Sequence, residues 1–232
     1  MNVSAVLPDY WIERPRIRTG RATEAAVDAF LQLADANGGR HLLDVDAFLR
    51  ETPGVVCWQF MCSVAARRRI AFHGTGDPRI ESFEPREPVD FAPFGKQQAV
   101  FATSDPIWAM FYAVVDRHRH RLTLNNGCLV LEDTGDAYYY FSVSRQALPR
   151  RPWRAGYLYF LPADTFVEQP GDVYAGQQAR VPQLASPVAV TPFARLRVAP
   201  RSFPFLGQIR GHDDERLADY ARAVMAAEPW PD

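Results

Sequence analysis

The pattern of apolar and polar positions divides the chain into a helical first part and a strand-rich second part. In the first part, apolar residues recur three and four positions apart, which is the spacing of a helix with one buried face. This spacing predicts helices over residues 23–39, 44–51 and 55–67. Thr23 is expected to cap the first helix and Gly38–Gly39 to end it. The third segment is apolar nearly all round, which predicts a buried helix.

After residue 67, short apolar runs bounded by turn residues predict β-strands. These runs cover residues 69–73, 98–103, 127–132, 137–144, 156–163 and 186–200, and Pro192 interrupts the last of them. Two helical segments stand among the strands, over residues 104–120 and 213–227. Ser104 or Asp105 is expected to cap the first of these two helices.

The predicted strands are not separated by regular helices, so we expect an α+β fold instead of a doubly wound α/β fold. The expected architecture is two packed antiparallel sheets that frame a cleft, with N-terminal helices and a C-terminal helix. Residues 1–66 form an N-terminal helical segment and residues 67–232 the main domain, or the two together form one compact unit. No G-x-G-x-x-G or Walker motif is present, so the common dinucleotide-binding and phosphate-binding folds are not expected.

Composition adds limits on the class of protein. Hydrophobic residues make up 47% of the chain and charged residues 23%, which predicts a substantial core. A formal net charge of −1 offers no electrostatic argument for a nucleic-acid or membrane partner. We expect no membrane association, because no apolar run approaches the roughly 20 residues that cross a bilayer. Three cysteines without a CxxC pair indicate free thiols in the cytoplasm and no metal site.

Two motifs carry a more specific resemblance. Residues 72–76 read FHGTG, and residues 99–113 read AVFATSDPIWAMFYA. In this order and spacing they resemble the first two motifs of the ADP-ribosyltransferase fold, in its diphtheria-toxin-like branch. The short HGT form is similar to that of bacterial rifampicin ADP-ribosyltransferases. The resemblance extends over residues 70–210 and implies an NAD cleft and transfer of single ADP-ribose units from NAD, the substrate, to a protein, a nucleic acid or a small molecule.

The implied chemistry sets three demands on the site. Cleavage of the bond between nicotinamide and ribose produces a cationic, oxocarbenium-like sugar, as in glycoside hydrolysis. The site must therefore fix the ribose by hydrogen bonds and hold the cationic ring between aromatic faces. It must also place a polar or anionic group near the ribose 2′-hydroxyl, where it stabilises the developing charge.

By resemblance, the HGT motif supplies the groups that bind the riboses and the nicotinamide amide. His73 would fix the nicotinamide ribose, Gly74 would offer its backbone to the nicotinamide amide, and Thr75 would bond the adenosine-side ribose. The alternative for His73 is a histidine that is satisfied within its own strand end. The presence of the downstream motif favours the functional role.

The second motif supplies the aromatic faces. Phe101 stands where the family usually has Tyr, and it would stack on nicotinamide. Tyr112, eleven residues later, matches the helix aromatic that closes the other side of the nicotinamide ring. Trp108 lies one helical turn from Tyr112 and shares its face of the helix. The alternative for Trp108 and Tyr112 is packing in the core.

The third motif is a strand residue near the 2′-hydroxyl, which is Glu in many members and Asp or Gln in others. The segment PQLASPVAVTP places Gln183 in this role, with Gln177 and Gln178 of YAGQQAR as rivals. Glutamine can hydrogen-bond the hydroxyl, but it supplies no negative charge and cannot act as a general base. Single transfer, NAD hydrolysis by a glycohydrolase, and a catalytically inactive nucleotide-binding or protein-binding module therefore all remain open.

Three further features complete the predictions. Residues 76–95 are rich in Pro and charge, and loops of this length often form lids over ligands. His118 and His120 lie in a basic stretch that suits a helix C-terminus better than a metal site. His212 is predicted to begin the last helix, followed by two aspartates.

Overall fold

The structure, a computed structural model, describes residues 7–87 and 94–231. Its helices are α1 (Arg21–Asn37), α2 (Val45–Arg50), α3 (Cys57–Arg67), α4 (Pro106–Val114), α5 (Arg117–His120) and α6 (Leu217–Met225). Its strands are β1 (Ile12–Glu13), β2 (Leu43–Asp44), β3 (Ile70–Thr75), β4 (Val100–Thr103), β5 (Leu124–Leu131), β6 (Ala137–Ser144), β7 (Gly156–Pro162), β8 (Val167–Glu168), β9 (Asp172–Tyr174), β10 (Gln177–Arg180), β11 (Gln183–Ser186), β12 (Ala194–Val198) and β13 (Arg210–His212).

The strands form two sheets, which confirms the predicted α+β fold class. The six-stranded sheet has the order β1–β6–β5–β10–β9, with β13 also paired to β6. The seven-stranded sheet has the order β2–β12–β7–β3–β4–β11–β8. Pairing is antiparallel except between β2 and β12 and between β13 and β6. Both exceptions come from strands of two or three residues, so the antiparallel prediction holds for the longer strands.

One hydrophobic core joins the two sheets to the N-terminal helices and α4. Phe111 of α4 packs against Phe141 of the six-stranded sheet, with ring centroids 4.8 Å apart. Phe30 of α1 packs against Phe160 of the seven-stranded sheet at 5.5 Å. The helices within residues 1–66 thus contribute to the same core as the sheets.

The two faces of the seven-stranded sheet are covered differently, because side chains alternate between faces along each strand. The helix face carries Phe72 and Leu158 and packs against α4. The loop face carries Ala71 and Tyr159 and packs against Phe83 from the loop after β3. Paired residues on neighbouring strands point to the same face, so the pairing shows on which face each remaining side chain of β3, β4, β7, β11 and β12 lies.

Helix ends follow the predictions in part. Helix α1 begins after Gly20, so Thr23 lies within the first turn, where it is buried and caps nothing. The helix ends as predicted at Gly38, whose φ of 55° favours glycine. Helix α4 is capped by Asp105, the second of the two predicted caps.

The predicted strand over residues 186–200, interrupted at Pro192, is confirmed in its second half by β12, whereas its first half is a connection that follows β11. Strand β11 ends at Ser186 and β12 begins at Ala194, with β7, β3 and β4 between them in the sheet. Pro187 and Pro192 lie in the connection, where proline's missing N–H breaks strand pairing.

His212 ends β13 and does not begin the last helix, which corrects the prediction. Its ring is fully buried, and its nitrogens lie 2.6 Å from Ser142 Oγ and 2.7 Å from Thr123 Oγ1. Thr123 donates its hydroxyl proton to Asp214, so Nε2 of His212 donates to Thr123 and Nδ1 accepts from Ser142. This histidine is a neutral structural residue that ties β13 to β6.

Candidate functional site

The residues of the HGT motif lie where β3 and β4 part. Between these strands only Phe72 and Thr103 are in register, whereas β3 pairs with β7 over all six of its residues. Beyond that pair, His73 Nδ1 lies 2.8 Å from the carbonyl oxygen of Phe101. The histidine side chain therefore forms the hydrogen bond that a backbone N–H of β3 would form in a regular ladder. Within the described residues, the last part of β3 therefore has an unpaired edge on the β4 side.

His73 is a neutral imidazole with one free acceptor nitrogen. A carbonyl oxygen only accepts, so Nδ1 carries the proton and Nε2 is the acceptor. Nε2 has no hydrogen-bond partner in the described part of the chain, and the residue as a whole is partly exposed. Burial of the ring, reinforced by the charge of Arg86, lowers the pKa of His73 below its ordinary value. At neutral pH this side chain can accept a hydrogen bond from a ligand hydroxyl.

Gly74 is needed for the packing of α4 on the helix face. A Cβ at this position would lie 1.8 Å from the carbonyl oxygen of Ala109 and 2.9 Å from the backbone nitrogen of Ala113. Gly156 of β7 approaches α4 in the same way, since its Cβ would lie 1.9 Å from the carbonyl oxygen of Ala113. Strand backbone groups lie in the plane of the sheet, so the predicted contact between Gly74 and nicotinamide is compatible with this packing.

Phe101 lies on the helix face, because its neighbours Val100 and Ala102 pack on the loop face. Its ring is half-buried and contacts no other aromatic ring among residues 7–87 and 94–231. Tyr112 is also half-buried, on α4. Both predicted aromatic residues therefore belong to the helix side of the sheet, and each keeps part of its surface exposed.

The start of α4 is anchored by a buried carboxylate. Asp105 accepts hydrogen bonds from the backbone N–H of Trp108 at 2.9 Å and from the Tyr139 hydroxyl at 2.7 Å, and burial raises its pKa. Trp108 is 7% exposed and donates its indole N–H to Asn126 Oδ1 at 2.6 Å. Trp108 thus has the environment of a packing residue, the alternative considered above.

Gln183 lies on the same sheet as His73, two strands away. It pairs with Thr103 of β4, so its side chain is on the helix face with Phe101, whereas His73 is on the loop face. The Gln183 amide is partly exposed and forms no hydrogen bond with the described residues. It is therefore free to bind a ligand group.

The rival glutamines lie elsewhere. Gln177 and Gln178 belong to β10 of the six-stranded sheet. A different glutamine, Gln169, approaches the site and carries no sequence signal. Its backbone N–H donates to the carbonyl oxygen of Gln183 at 2.9 Å, and its own Oε1 is buried without a hydrogen-bond partner.

Comparison with known proteins adds no assignment. No protein-family model, curated protein or solved structure matches the chain. A fold alone does not define an activity, so function is argued from the side chains around the parting of β3 and β4.

The described part of the long loop packs on the loop face. Phe83 is 7% exposed and exchanges two backbone hydrogen bonds with Val190, at 2.9 and 3.0 Å. Arg86 and Ala99 form a second pair at 3.1 and 3.3 Å. Within residues 76–87, Phe83 and Arg86 are therefore tied to neighbouring segments, and the lid interpretation stays a prediction for this part of the loop. Residues 88–93 of the predicted lid lie outside the described residues.

Further polar side chains beside the HGT motif were missed by the sequence analysis. Two rows cross β3, β7 and β12 on the loop face, namely His73–Tyr159–Arg195 and Thr75–Tyr157–Arg197. No motif marks the members on β7 and β12. The one available signal is the alternation of arginine with apolar residues in ARLRV, which predicts a strand with one polar face.

The described parts of the chain contain neither a cluster of metal-binding side chains nor a reactive thiol. Residues 7–87 and 94–231 contain no group of three or more His, Cys, Asp or Glu side chains arranged to hold a metal ion. Burial raises the pKa of Cys57 to about 12 and raises those of Cys62 and Cys128 as well. These thiols are protonated at neutral pH and are poor nucleophiles. No helix within the same residues is long and apolar enough to cross a membrane.

Proposed function

We propose that this chain is an NAD-dependent mono-ADP-ribosyltransferase. One observation carries the proposal. His73, Phe101 and Gln183 come from three separate segments that the sequence resemblance selects, and they lie on three adjacent strands, β3, β4 and β11. The parting of β3 and β4 provides an open strand edge at the centre of this group.

The side chains around the site support specific roles. His73 Nε2 accepts a hydrogen bond from a ribose hydroxyl, since its other nitrogen is used by Phe101. Phe101 and Tyr112 offer aromatic surface to nicotinamide from the helix side. The amide oxygen of Gln183 accepts from the ribose 2′-hydroxyl, because no described residue uses it.

The reaction follows from these contacts. The bond between the nicotinamide nitrogen and ribose C1′ breaks, and the electron pair leaves with neutral nicotinamide. The acceptor nucleophile forms a new bond to C1′ and loses its proton to solvent or to a base of the acceptor. Groups that bind the cationic sugar more tightly than NAD itself accelerate this step.

A second candidate is a nucleotide-binding or protein-binding module that does not turn NAD over. The neutral amide of Gln183 favours it, because an amide stabilises a cationic sugar less than a carboxylate does. NAD hydrolysis, with water as the acceptor, is a third outcome of the same site.

Release of nicotinamide separates these candidates. We expect the purified protein to bind NAD in a calorimetric titration and to release nicotinamide, with mass spectrometry of a cell lysate locating the ADP-ribose on its acceptor. Gln183→Ala should lower the release rate by about 10²–10³-fold, the typical effect of removing one electrostatic stabiliser. Gln178→Ala is the matched control, because this exposed glutamine lies on the other sheet, and its rate should equal the parent's.

Three outcomes would contradict parts of this proposal. Binding of NAD without release by the parent would establish the module. Release with water as the sole acceptor would establish the hydrolase. Absence of both binding and release would refute the NAD site itself.

A further inference from the structure

A cleft of about 420 Å³ lies on the loop face next to the HGT motif. Its lining residues are Asp44, Asp46, Arg50, Tyr157, Arg195 and Arg197. Tyr157 lies opposite Thr75 in the ladder between β3 and β7, so the cleft adjoins the end of β3. It is distinct from the helix face, where Phe101 and Gln183 lie.

Three guanidinium groups line this cleft with unused donors. The side chain of Arg197 forms no hydrogen bond or ion pair within the described residues. Arg50 donates from Nε to the carbonyl oxygen of Asp46 at 3.2 Å. Arg195 is more firmly held, since its Cζ lies 5.3 Å from the ring centroid of Tyr157 and Nη1 donates to the carbonyl oxygen of Pro78. Each guanidinium has five N–H donors, so most of those around the cleft are free.

The two carboxylates of the cleft are hydrogen-bonded to backbone groups, and burial raises the pKa of Asp46 by more than the charges of Arg197 and Arg50 lower it. Asp44 accepts from the backbone N–H of Ala47 at 3.1 Å and so caps α2. Asp46 accepts from the backbone N–H of Arg197 at 2.6 Å. In the described part of the chain, neither forms an ion pair with the cleft arginines. Three cations against two anions leave the cleft with a net positive charge.

We propose that this cleft binds the phosphate of a nucleotide ligand, with Arg50, Arg195 and Arg197 as its anion-binding side chains. Guanidinium groups match phosphate oxygens in geometry and in charge. Arg195 is positioned in advance by its two contacts, and Arg50 is held at Nε by its hydrogen bond to Asp46, whereas the side chain of Arg197 can turn to meet the anion.

Two sources of the phosphate suit a cleft beside Thr75. One is the diphosphate of NAD, and the other is a phosphate on the acceptor. The proposal rests on the proposed function only for this choice of source, because phosphate binding itself requires no turnover.

Inorganic pyrophosphate is the probe for the cleft. Its binding to the full chain is followed by calorimetry and by the NMR signals of the arginine Nε–H groups. Arg197→Ala should weaken the affinity about tenfold, as expected for a lost charge-assisted hydrogen bond, with little change in Tm, because this side chain forms no hydrogen bond or ion pair within the described residues. Arg50→Ala is a second variant with the same expected loss of affinity, and it also removes the hydrogen bond from Nε to the carbonyl oxygen of Asp46. Arg119→Ala, an exposed arginine of α5 outside the cleft lining, is the control and should bind like the parent.

Each outcome of these binding experiments either supports or refutes the phosphate site. The proposal that the cleft binds phosphate would be overturned if the parent does not bind pyrophosphate. It would also be overturned if the parent, Arg197→Ala and Arg50→Ala bind it with equal affinity. Displacement of pyrophosphate by ADP-ribose identifies the NAD diphosphate as the source, and simultaneous binding of both identifies the acceptor phosphate. If pyrophosphate binds while ADP-ribose does not, the phosphate site stands and the proposed transferase function fails.

Discussion

Replacement of Gly74 by alanine measures how closely α4 is packed against the HGT motif. The added Cβ would lie 1.8 Å from the carbonyl oxygen of Ala109, whereas ordinary contact begins at 3.4 Å. Helix and strand must therefore separate by about 1.6 Å at this point. Neither can escape by a rotamer change, because the atoms that collide with the new methyl group belong to the backbone.

The expected cost lies at the upper end of the range for overpacked cores. Forcing an extra methyl group into a packed interior costs about 1–3 kcal/mol of unfolding free energy. For a chain of this length, about 3 kcal/mol corresponds to a fall in Tm of about 6–12 °C. We expect Gly74→Ala to show this fall in thermal unfolding followed by circular dichroism. NAD affinity should fall with it, because α4 carries Tyr112.

Gly207→Ala is the matched control. No heavy atom lies within 4 Å of the Cβ that this substitution adds, so its Tm should stay close to the parent's. If Gly74→Ala unfolds at the same temperature as Gly207→Ala, then α4 does not contact β3 as closely as described. The positions of Phe101 and Tyr112 relative to the parting of the strands would then have to be reconsidered.

Three other predictions concern titration and binding. His73→Ala should weaken NAD binding in calorimetry by more than it lowers stability, since Nε2 has no partner in the described residues and the lost bond to Phe101 is worth about 1 kcal/mol; unchanged NAD affinity would make His73 a structural residue. Gln183→Glu should preserve or raise nicotinamide release, because a carboxylate stabilises the cationic sugar better than an amide, and a large loss of rate would contradict the assigned role. Burial lowers the pKa of His212, so the unfolded chain binds its proton at higher pH than the folded chain. Urea unfolding should therefore show stability falling as the pH drops below about 6.5, with a smaller fall in His212→Gln.

Periodicity predicts the long elements because burial of one face dictates their sequence. Helix α3 and the pair β5 and β6 have patterns that suit one structure each, and they were predicted within a few residues. Strands β8, β9 and β10 were missed, because each has two to four residues and they are mostly exposed. So short a run contains too few positions to establish a period of two.

The sequence selects candidate site residues but does not contain their arrangement. Motif spacing selects His73 and Gln183, yet their positions on opposite faces depend on the register of β3, β4 and β11. Register is a long-range property that a single strand's sequence does not contain. For the same reason, the neighbours of the HGT motif on β7 and β12, including Arg197, appear only once the sheet is assembled.

The parting of β3 and β4 connects groups that lie on opposite faces of the sheet. Phe101 and Gln183, which we propose contact the nicotinamide riboside part of NAD, lie on the helix face, whereas His73 and the arginine cleft lie on the loop face. A continuous ladder between β3 and β4 would separate these two sets of groups by a layer of backbone. A dinucleotide that contacts both must pass the open edge of β3, which begins after Phe72. The hydrogen bond from His73 to the carbonyl oxygen of Phe101 satisfies one backbone acceptor that the parting strands leave without a partner, and so it lowers the cost of keeping this edge open.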